Sequence, residues 1–208
     1  MYKRQLWHWP LFLALSWTAA VALALGLVVG AVSLRVSGIA FTMVTLAFAQ
    51  AFYYLIEDNP HGLTGGDDGL SLFSNRLPSF LSGAVSNTRS LYWVALGFLV
   101  VTGVVVWVVT ESSTGHVFVA IRDNERRVEV LGLRPFGFKL AAYTVSSLIA
   151  SAGGVVYVLL IGTAVPSAVA ATTLTLSIVI MVVLGGAASR WGAAVSYTHL
   201  DVYKRQVR

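Results

Sequence analysis

The chain has 208 residues, of which 57% are hydrophobic and only 11% are charged, against roughly 25% charged residues in soluble domains. This composition excludes a soluble globular protein and predicts one that crosses a membrane several times. The chain contains no cysteine, which excludes disulfides, thiolate metal sites and cysteine nucleophiles.

The two ends of the chain resemble foreign sequence. Tyr2-Lys3-Arg4-Gln5 recurs as Tyr203-Lys204-Arg205-Gln206, and the tail resembles an adaptor-derived sequence that contaminates assembled reads. We therefore expect residues 1–5 and 196–208 to be non-native, which leaves 6–195 as a fragment of a truncated protein. The alternative is a genuine basic tail. These ends carry most of the net charge of +5, so no basic face remains and no nucleic-acid partner is expected.

Long apolar runs predict an all-α, polytopic transmembrane helical bundle with about five spans. The predicted spans are 11–34, 37–56, 91–110, 138–161 and 172–195, close to the roughly 20 residues that a helix needs to cross a bilayer. Small residues four apart, Ser147 with Ser151 and Ala150 with Gly154, predict close helix packing in the fourth span. In the last span, Gly185-Gly186 predicts an early end to the helix.

Three polar residues lie within the second span: Thr42, Thr45 and Gln50. A polar side chain in lipid is costly unless it bonds a neighbour or lines a polar pathway. Two interpretations remain open, hydrogen bonding between helices and contact with a transported substrate. These three residues are our candidate translocation path.

The polar region 58–90 contains a glycine-rich loop with Thr64, Gly65, Gly66 and Gly69. Its glycines permit a tight, irregular backbone, so we predict a structured extracytoplasmic turn. Asp67 and Asp68 lack further metal ligands at useful spacing, and no Gly-Lys-Ser/Thr follows that would indicate a phosphate loop. Contact with a substrate-delivering binding protein is a second interpretation.

The segment 115–139 is densely charged and lies between two predicted spans. An apolar row at helical spacing, interrupted by Asn124, predicts a short amphipathic helix on the membrane surface that ends at Gly132 and Pro135. Opposite charges at Asp123 and Arg127, and at Arg126 and Glu129, are spaced to support it. The alternative is a solvated loop. The row consists of Val117, Ile121, Val128 and Leu131.

Charge distribution predicts the topology. The 111–139 segment holds five Lys and Arg residues and the longer 58–90 region holds two, so the former should be cytoplasmic and the latter extracytoplasmic. The sequence contains no nucleotide-binding loop, metal motif or nucleophile–base set, so no enzymatic activity and no cofactor are expected in this chain. Ionisable residues are missing from the middle of the predicted spans, which favours an externally powered permease over an ion-coupled carrier.

Four stretches carry a family resemblance. Ala120 to Glu125 followed by Leu131-Gly132 resembles the cytoplasmic coupling loop of ABC importer permeases, and the match is closest to the branched-chain amino-acid type, the LivM-like membrane subunit. The stretches Leu34 to Gln50, Thr64 to Leu70, and Ser177 to Gly186 are similar to the same family, so the resemblance covers about 34–194. One departure is Arg127-Val128, where the family usually has small residues.

The resemblance implies that 6–195 is part of a multi-pass permease domain in a bacterial inner membrane, moving branched-chain amino acids by alternating access. It implies two separate ATP-binding subunits that hold ATP and Mg²⁺, a homologous second permease, and an extracytoplasmic binding protein. Urea or short-amide permeases, an ion-coupled carrier and a structural membrane subunit remain alternatives. The apolar row would insert into the ATPase, and nearby charges, Arg126 among them, would orient it. The expected coupling-loop residues are Val117, Ala120, Ile121, Arg122, Asn124, Glu125, Val128, Glu129, Leu131 and Gly132.

Overall fold

A computed structural model describes residues 11–59, 66, 69–71, 88–165, 171–186 and 192. The described parts are almost entirely helical, which confirms the predicted all-α class. Two short strands pair antiparallel, with Leu70 opposite Ala164 and Ser71 opposite Thr163. In chain order the elements are α1 Leu11–Ser33, α2 Ile39–Glu57, β1 Leu70–Ser71, α3 Thr88–Glu111, α4 Ser113–Asp123, α5 Glu125–Val130, α6 Pro135–Ile161, β2 Thr163–Ala164 and α7 Ala171–Gly185.

Four of the described helices, α1, α2, α3 and α6, are long and apolar enough to cross a membrane. They match the first four predicted spans to within three residues at each end. Many of their large apolar side chains are exposed, as lipid-facing side chains of a membrane protein would be. The prediction of a polytopic helical bundle is therefore confirmed.

The fifth predicted span differs from the structure. In place of a helix over 172–195, the described residues contain the 15-residue α7, which is shorter than a bilayer requires. It ends at Gly185, and Gly186 follows with φ 82°, a left-handed conformation that favours glycine. The early end predicted from the two glycines is thus confirmed, and the described residues hold four candidate spans where about five were predicted.

The chain divides into two compact units. The first contains Met1–Phe48 and Gly69–Ala164, and the second contains Ala49–Asp68 and Val165–Arg208. Within the first unit the most extensive helix contact is between α1 and α6, and α6 also contacts α3, α4 and α5. The long helix α6 is therefore the element around which the first unit is packed.

The α1–α6 contact depends on two glycines four residues apart. A Cβ on Gly26 would overlap Ser147 Oγ, and a Cβ on Gly30 would lie 2.8 Å from a ring carbon of Tyr143 and 3.0 Å from Leu140 Cδ1. Hydrogen in place of a side chain lets the two backbones approach, a common arrangement between helices in membranes. Ser147 thus lies at a close contact, as its small-residue pattern predicts, whereas a Cβ on Gly154 would meet nothing within 4 Å.

Candidate functional site

The charged segment folds as two short helices, α4 and α5, where the sequence analysis predicted one. The break is at Asn124, whose backbone is extended, with φ −161° and ψ 100°. Its N–H donates to Ala120 O, while its side-chain Oδ1 accepts the N–H of Arg127 at 3.2 Å. Asn124 therefore ends α4 and caps α5 at once, because asparagine side chains compete well for free backbone donors at a helix start. We call residues 113–134 the surface segment.

Both ends of the surface segment are closed by local hydrogen bonds. At its start, Ser112 Oγ accepts the N–H of Gly115 at 3.3 Å. At its end, the N–H of Gly132 donates to Glu129 O and the N–H of Leu133 donates to Val128 O, the two bonds of a Schellman motif. Gly132 has φ 82°, so the helix stop predicted there is confirmed. Pro135 then starts α6 at a position where its missing N–H costs nothing.

Burial differs along the predicted apolar row, in which Val117 is partly exposed. Ile121 is 8% exposed and Val128 is 2% exposed, so both lie inside the packing of their own unit. Leu131 is 78% exposed, and the neighbouring Val130 is 87% exposed. The most exposed apolar side chains of the surface segment are therefore those of Val130 and Leu131, which we call the apolar tip; Val119 and Leu133 are exposed to a smaller extent.

Val130 does not fall on the helical row, so the sequence pattern did not single it out. An apolar row is identified by its helical spacing. Spacing cannot distinguish a side chain that packs against its own chain from one that remains exposed to a partner. The available signal was position: Val130 is the last residue of α5, immediately before the turn at Gly132.

The opposite charges that the sequence places at helical spacing in the surface segment do not pair with each other. Neither Asp123 with Arg127 nor Arg126 with Glu129 forms a salt bridge in the described residues. The break at Asn124 removes the helical spacing of the first pair, and exposed pairs such as the second gain little in water. Instead Arg122 Nε lies 3.5 Å from Asp123 Oδ1, and both side chains are largely exposed.

A different ion pair attaches α5 to the membrane-spanning helix. Lys139 Nζ donates to Glu125 Oε1 at 2.7 Å, and the two side chains are about a third and a half exposed. Glu125 is the first residue of α5, and Lys139 lies one turn into α6. The contact joins residues 14 apart in the chain, so it connects the surface segment to α6 beyond the backbone itself.

The candidate translocation residues differ in their surroundings. Thr42 Oγ1 donates to Ile39 O at 2.7 Å, and Thr45 Oγ1 lies 3.1 Å from Phe41 O and 3.0 Å from Thr42 O, all within α2. These hydroxyls are satisfied by their own helix. Gln50 Oε1 is buried and has no hydrogen-bond partner among the described residues. Thr42 and Thr45 belong to the first unit and Gln50 to the second, and their role in transport stays a prediction.

The glycine-rich loop is described only in part. Gly66 and Gly69 have φ 59° and 64°, so the irregular backbone expected there is left-handed at both positions, which favours glycine. Gly69 is followed directly by β1. Thr64 and Gly65 lie outside the described residues, as do the chain ends 1–5 and 196–208. Among the residues that the structure describes, no group of His, Asp or Glu is arranged to hold a metal ion.

The family described as "Branched-chain amino acid transport system / permease component" matches residues 1–205. The chain is 27% identical to the high-affinity branched-chain amino acid transport system permease protein LivM of Escherichia coli (strain K12), over 90% of this chain and 49% of that protein. It is 28% identical to the protein of the same name from Salmonella typhimurium, with the same two coverages. The chain thus spans about half the length of these relatives. No solved structure gives a significant match.

Proposed function

Because the chain belongs to the family of branched-chain amino acid transport system permease components, we propose that it forms part of the membrane subunit of an ATP-driven importer for branched-chain amino acids. It is an ABC-transporter permease chain of the multi-pass, inner-membrane type, with four described helices able to span a bilayer. Both relatives carry branched-chain amino acid transport in their names, which supports this substrate class.

One observation carries the proposal: the surface segment is fixed to its own unit on one side and presents apolar side chains on the other. Ile121 and Val128 are buried, and Glu125 is paired with Lys139 of α6. The apolar tip, Val130 and Leu131, is exposed on the same short segment. A segment of this kind can bind a separate protein and transmit that protein's movement to a membrane-spanning helix.

The proposed mechanism is alternating access driven by two separate ATPase subunits, which would hold ATP and Mg²⁺. An ATPase can shift the permease between two states only if it binds the surface segment differently in each. The apolar tip would enter a cleft on the ATPase, and the exposed charges of α4 and α5 would set its orientation. A second, homologous permease would complete the pathway, and an extracytoplasmic binding protein would deliver the substrate. Most of the choice of substrate would then lie with that binding protein.

The burial pattern changes which residues should be altered to test this docking. We would co-express the chain with candidate ATPase subunits and measure how much ATPase purifies with it. Leu131→Asp places a charge on the apolar tip and should remove the ATPase without affecting membrane insertion. Leu131→Met keeps an apolar side chain of similar volume, so this variant should still purify with the ATPase. Ile121→Asp acts differently, because it buries a charge and should unfold the surface segment itself.

Two results would contradict the docking proposal. The first is equal ATPase recovery with Leu131→Asp and Leu131→Met. The second is no ATPase recovery with the unaltered chain when the relatives' own ATPase is supplied. In either case a structural role in the membrane, without coupling to ATP, would be favoured.

An ion-coupled carrier is the principal alternative mechanism. Such carriers usually place ionisable side chains near the bilayer centre. In the four described spans the Asp, Glu, Lys and Arg residues lie within the first or last five residues of a helix: Glu57 in α2, Arg89 and Glu111 in α3, and Lys139 in α6. This distribution supports the ATP-driven proposal. Uptake that survives ATP depletion and collapses with the proton gradient would favour the carrier.

Urea or short amides remain the alternative substrate class. Competition for labelled leucine uptake by isoleucine and valine, but not by urea or acetamide, is the result expected for a branched-chain importer. The reverse pattern would assign the chain to the amide transporters of the same superfamily.

A further inference from the structure

An apolar groove with one cationic residue runs along α6 in the first unit. Its volume is about 790 Å³, and α3, α4 and α6 form its walls. Val105 and Val109 line one side, Phe118 lines another, and Ala141 and Val145 line the floor along α6. The Phe118 and Phe138 rings meet edge to face at 6.4 Å, which closes the wall between α4 and α6. This groove does not involve the apolar tip.

The groove starts at the cytoplasmic end of the spans and is longer than one membrane leaflet is deep. It uses the end of α3 and the start of α6, the two ends that meet the surface segment and that the charge pattern places on the cytoplasmic side. Along α6 it extends from Arg134 to Ile149. At 1.5 Å per residue that is about 22 Å, compared with about 15 Å for the hydrocarbon of one leaflet. An acyl chain therefore fits along its length.

Arg134 is the only charged residue among the described residues that line the groove. It precedes the first turn of α6, makes no side-chain capping hydrogen bond, and forms no salt bridge with any described residue. The positive end of the α6 helix dipole lies beside it. An anion at this position would be attracted by the Arg134 side chain and by the positive end of the α6 dipole. One turn further on, a Cβ on Gly137 would meet nothing within 4 Å, so there is open space next to the arginine.

From the charge and the apolar lining together, we propose that this groove binds an anionic phospholipid of the cytoplasmic leaflet. One acyl chain lies along α6, and the phosphate pairs with Arg134. Basic pockets between membrane helices on the cytoplasmic side bind anionic headgroups in the same way. The proposal rests on membrane placement and on the groove, and it does not depend on ATPase docking or on the identity of the substrate.

The test is native mass spectrometry of the purified chain, titrated with phosphatidylglycerol or with phosphatidylcholine. The unaltered chain should retain phosphatidylglycerol preferentially. Arg134→Gln should reduce that preference about fivefold, the effect of one surface cation on an anionic lipid, while Arg134→Lys should largely keep it. Arg126→Gln removes an exposed cation that does not line the groove and serves as the matched control. Ala141→Trp keeps the arginine but fills the groove, and should reduce lipid retention.

Two further experiments distinguish a bound lipid from other occupants of the groove. Excess inorganic phosphate should not displace the lipid, because the acyl chain supplies much of the binding; displacement would show a site for free phosphate and overturn the proposal. The chain has no cysteine, so Val145→Cys can carry a single photoreactive label in native membranes. A lipid adduct supports the proposal. A protein adduct would show that another helix covers the groove and would overturn it, as would equal retention of the two lipids.

Discussion

Replacing Gly26 by alanine tests the close contact between α1 and α6. The new methyl group would overlap Ser147 Oγ and lie 3.2 Å from Ser147 Cβ, inside the usual carbon–carbon separation of about 3.5–4.0 Å. Ser147 Oγ donates to Thr144 O at 2.8 Å, so rotating it away breaks a hydrogen bond worth about 1 kcal/mol. Moving the helices apart instead costs about 1–3 kcal/mol. We therefore expect Gly26→Ala to lower the free energy of unfolding by about 1–2 kcal/mol through this contact.

The measurement is the free energy of unfolding in mixed micelles, followed by tryptophan fluorescence. Alanine is intrinsically a better helix former than glycine, so the comparison must be made with a glycine in open space. Gly97→Ala in α3 is that control, because its Cβ would meet nothing within 4 Å. Gly26→Ala should be about 1–2 kcal/mol less stable than this control. Adding Ser147→Ala should recover most of the difference, since it removes the overlapping oxygen.

Two results would refute a close contact between α1 and α6 at Gly26. Equal stabilities for Gly26→Ala and Gly97→Ala would show that the helices do not meet closely at this position. Strict additivity of Gly26→Ala and Ser147→Ala would show that the two residues are not in contact, because neighbours in contact normally couple.

Three further predictions concern the surface segment. Asn124→Ala should destabilise α5 by about 1 kcal/mol, because the N–H of Arg127 loses its acceptor. Asn124→Asp should retain the cap. Amide hydrogen exchange across α5 should therefore become faster in the alanine variant alone. Val128→Asp should make the surface segment sensitive to proteolysis, because a charge would replace a side chain that is only 2% exposed. Val130 is 87% exposed, so Val130→Asp should leave the cleavage rate unchanged. Glu125→Gln should cost at most about 1 kcal/mol, since the pair with Lys139 is partly exposed, and the cost should shrink in high salt; a cost independent of salt would contradict this assignment.

Local features of the fold followed from the sequence because they depend on short-range physics. The four described spans are set by runs of apolar residues, which must bury their backbone hydrogen bonds in helices when they enter lipid. The helix stops at Gly132 and Gly186 follow from a left-handed backbone that glycine adopts without strain. The break at Asn124 was visible as a gap in the apolar row, although one helix was predicted where two are formed.

Features that need a neighbour were decided by the tertiary structure. Val117, Ile121, Val128 and Leu131 share one spacing, yet packing within the first unit buries Ile121 and Val128 and leaves Leu131 exposed. Glu125 pairs with Lys139, and not with a residue of its own helix, because the turn at Gly132 brings the start of α6 back to α5. The glycine pair in α1 acquires meaning only when α6 lies against it.

The sequence by itself therefore determined that this chain is a multi-pass helical membrane protein, because span length, hydropathy and charge asymmetry are properties of single segments. Its motifs carried the resemblance to permeases, which the family match supports. The tertiary structure decided which apolar side chains hold the surface segment in place and which remain for a partner. It also decided that Arg134 lines an apolar groove. The physical reason is that burial is a property of residues brought together from distant parts of the chain, and the spacing within one segment does not contain it.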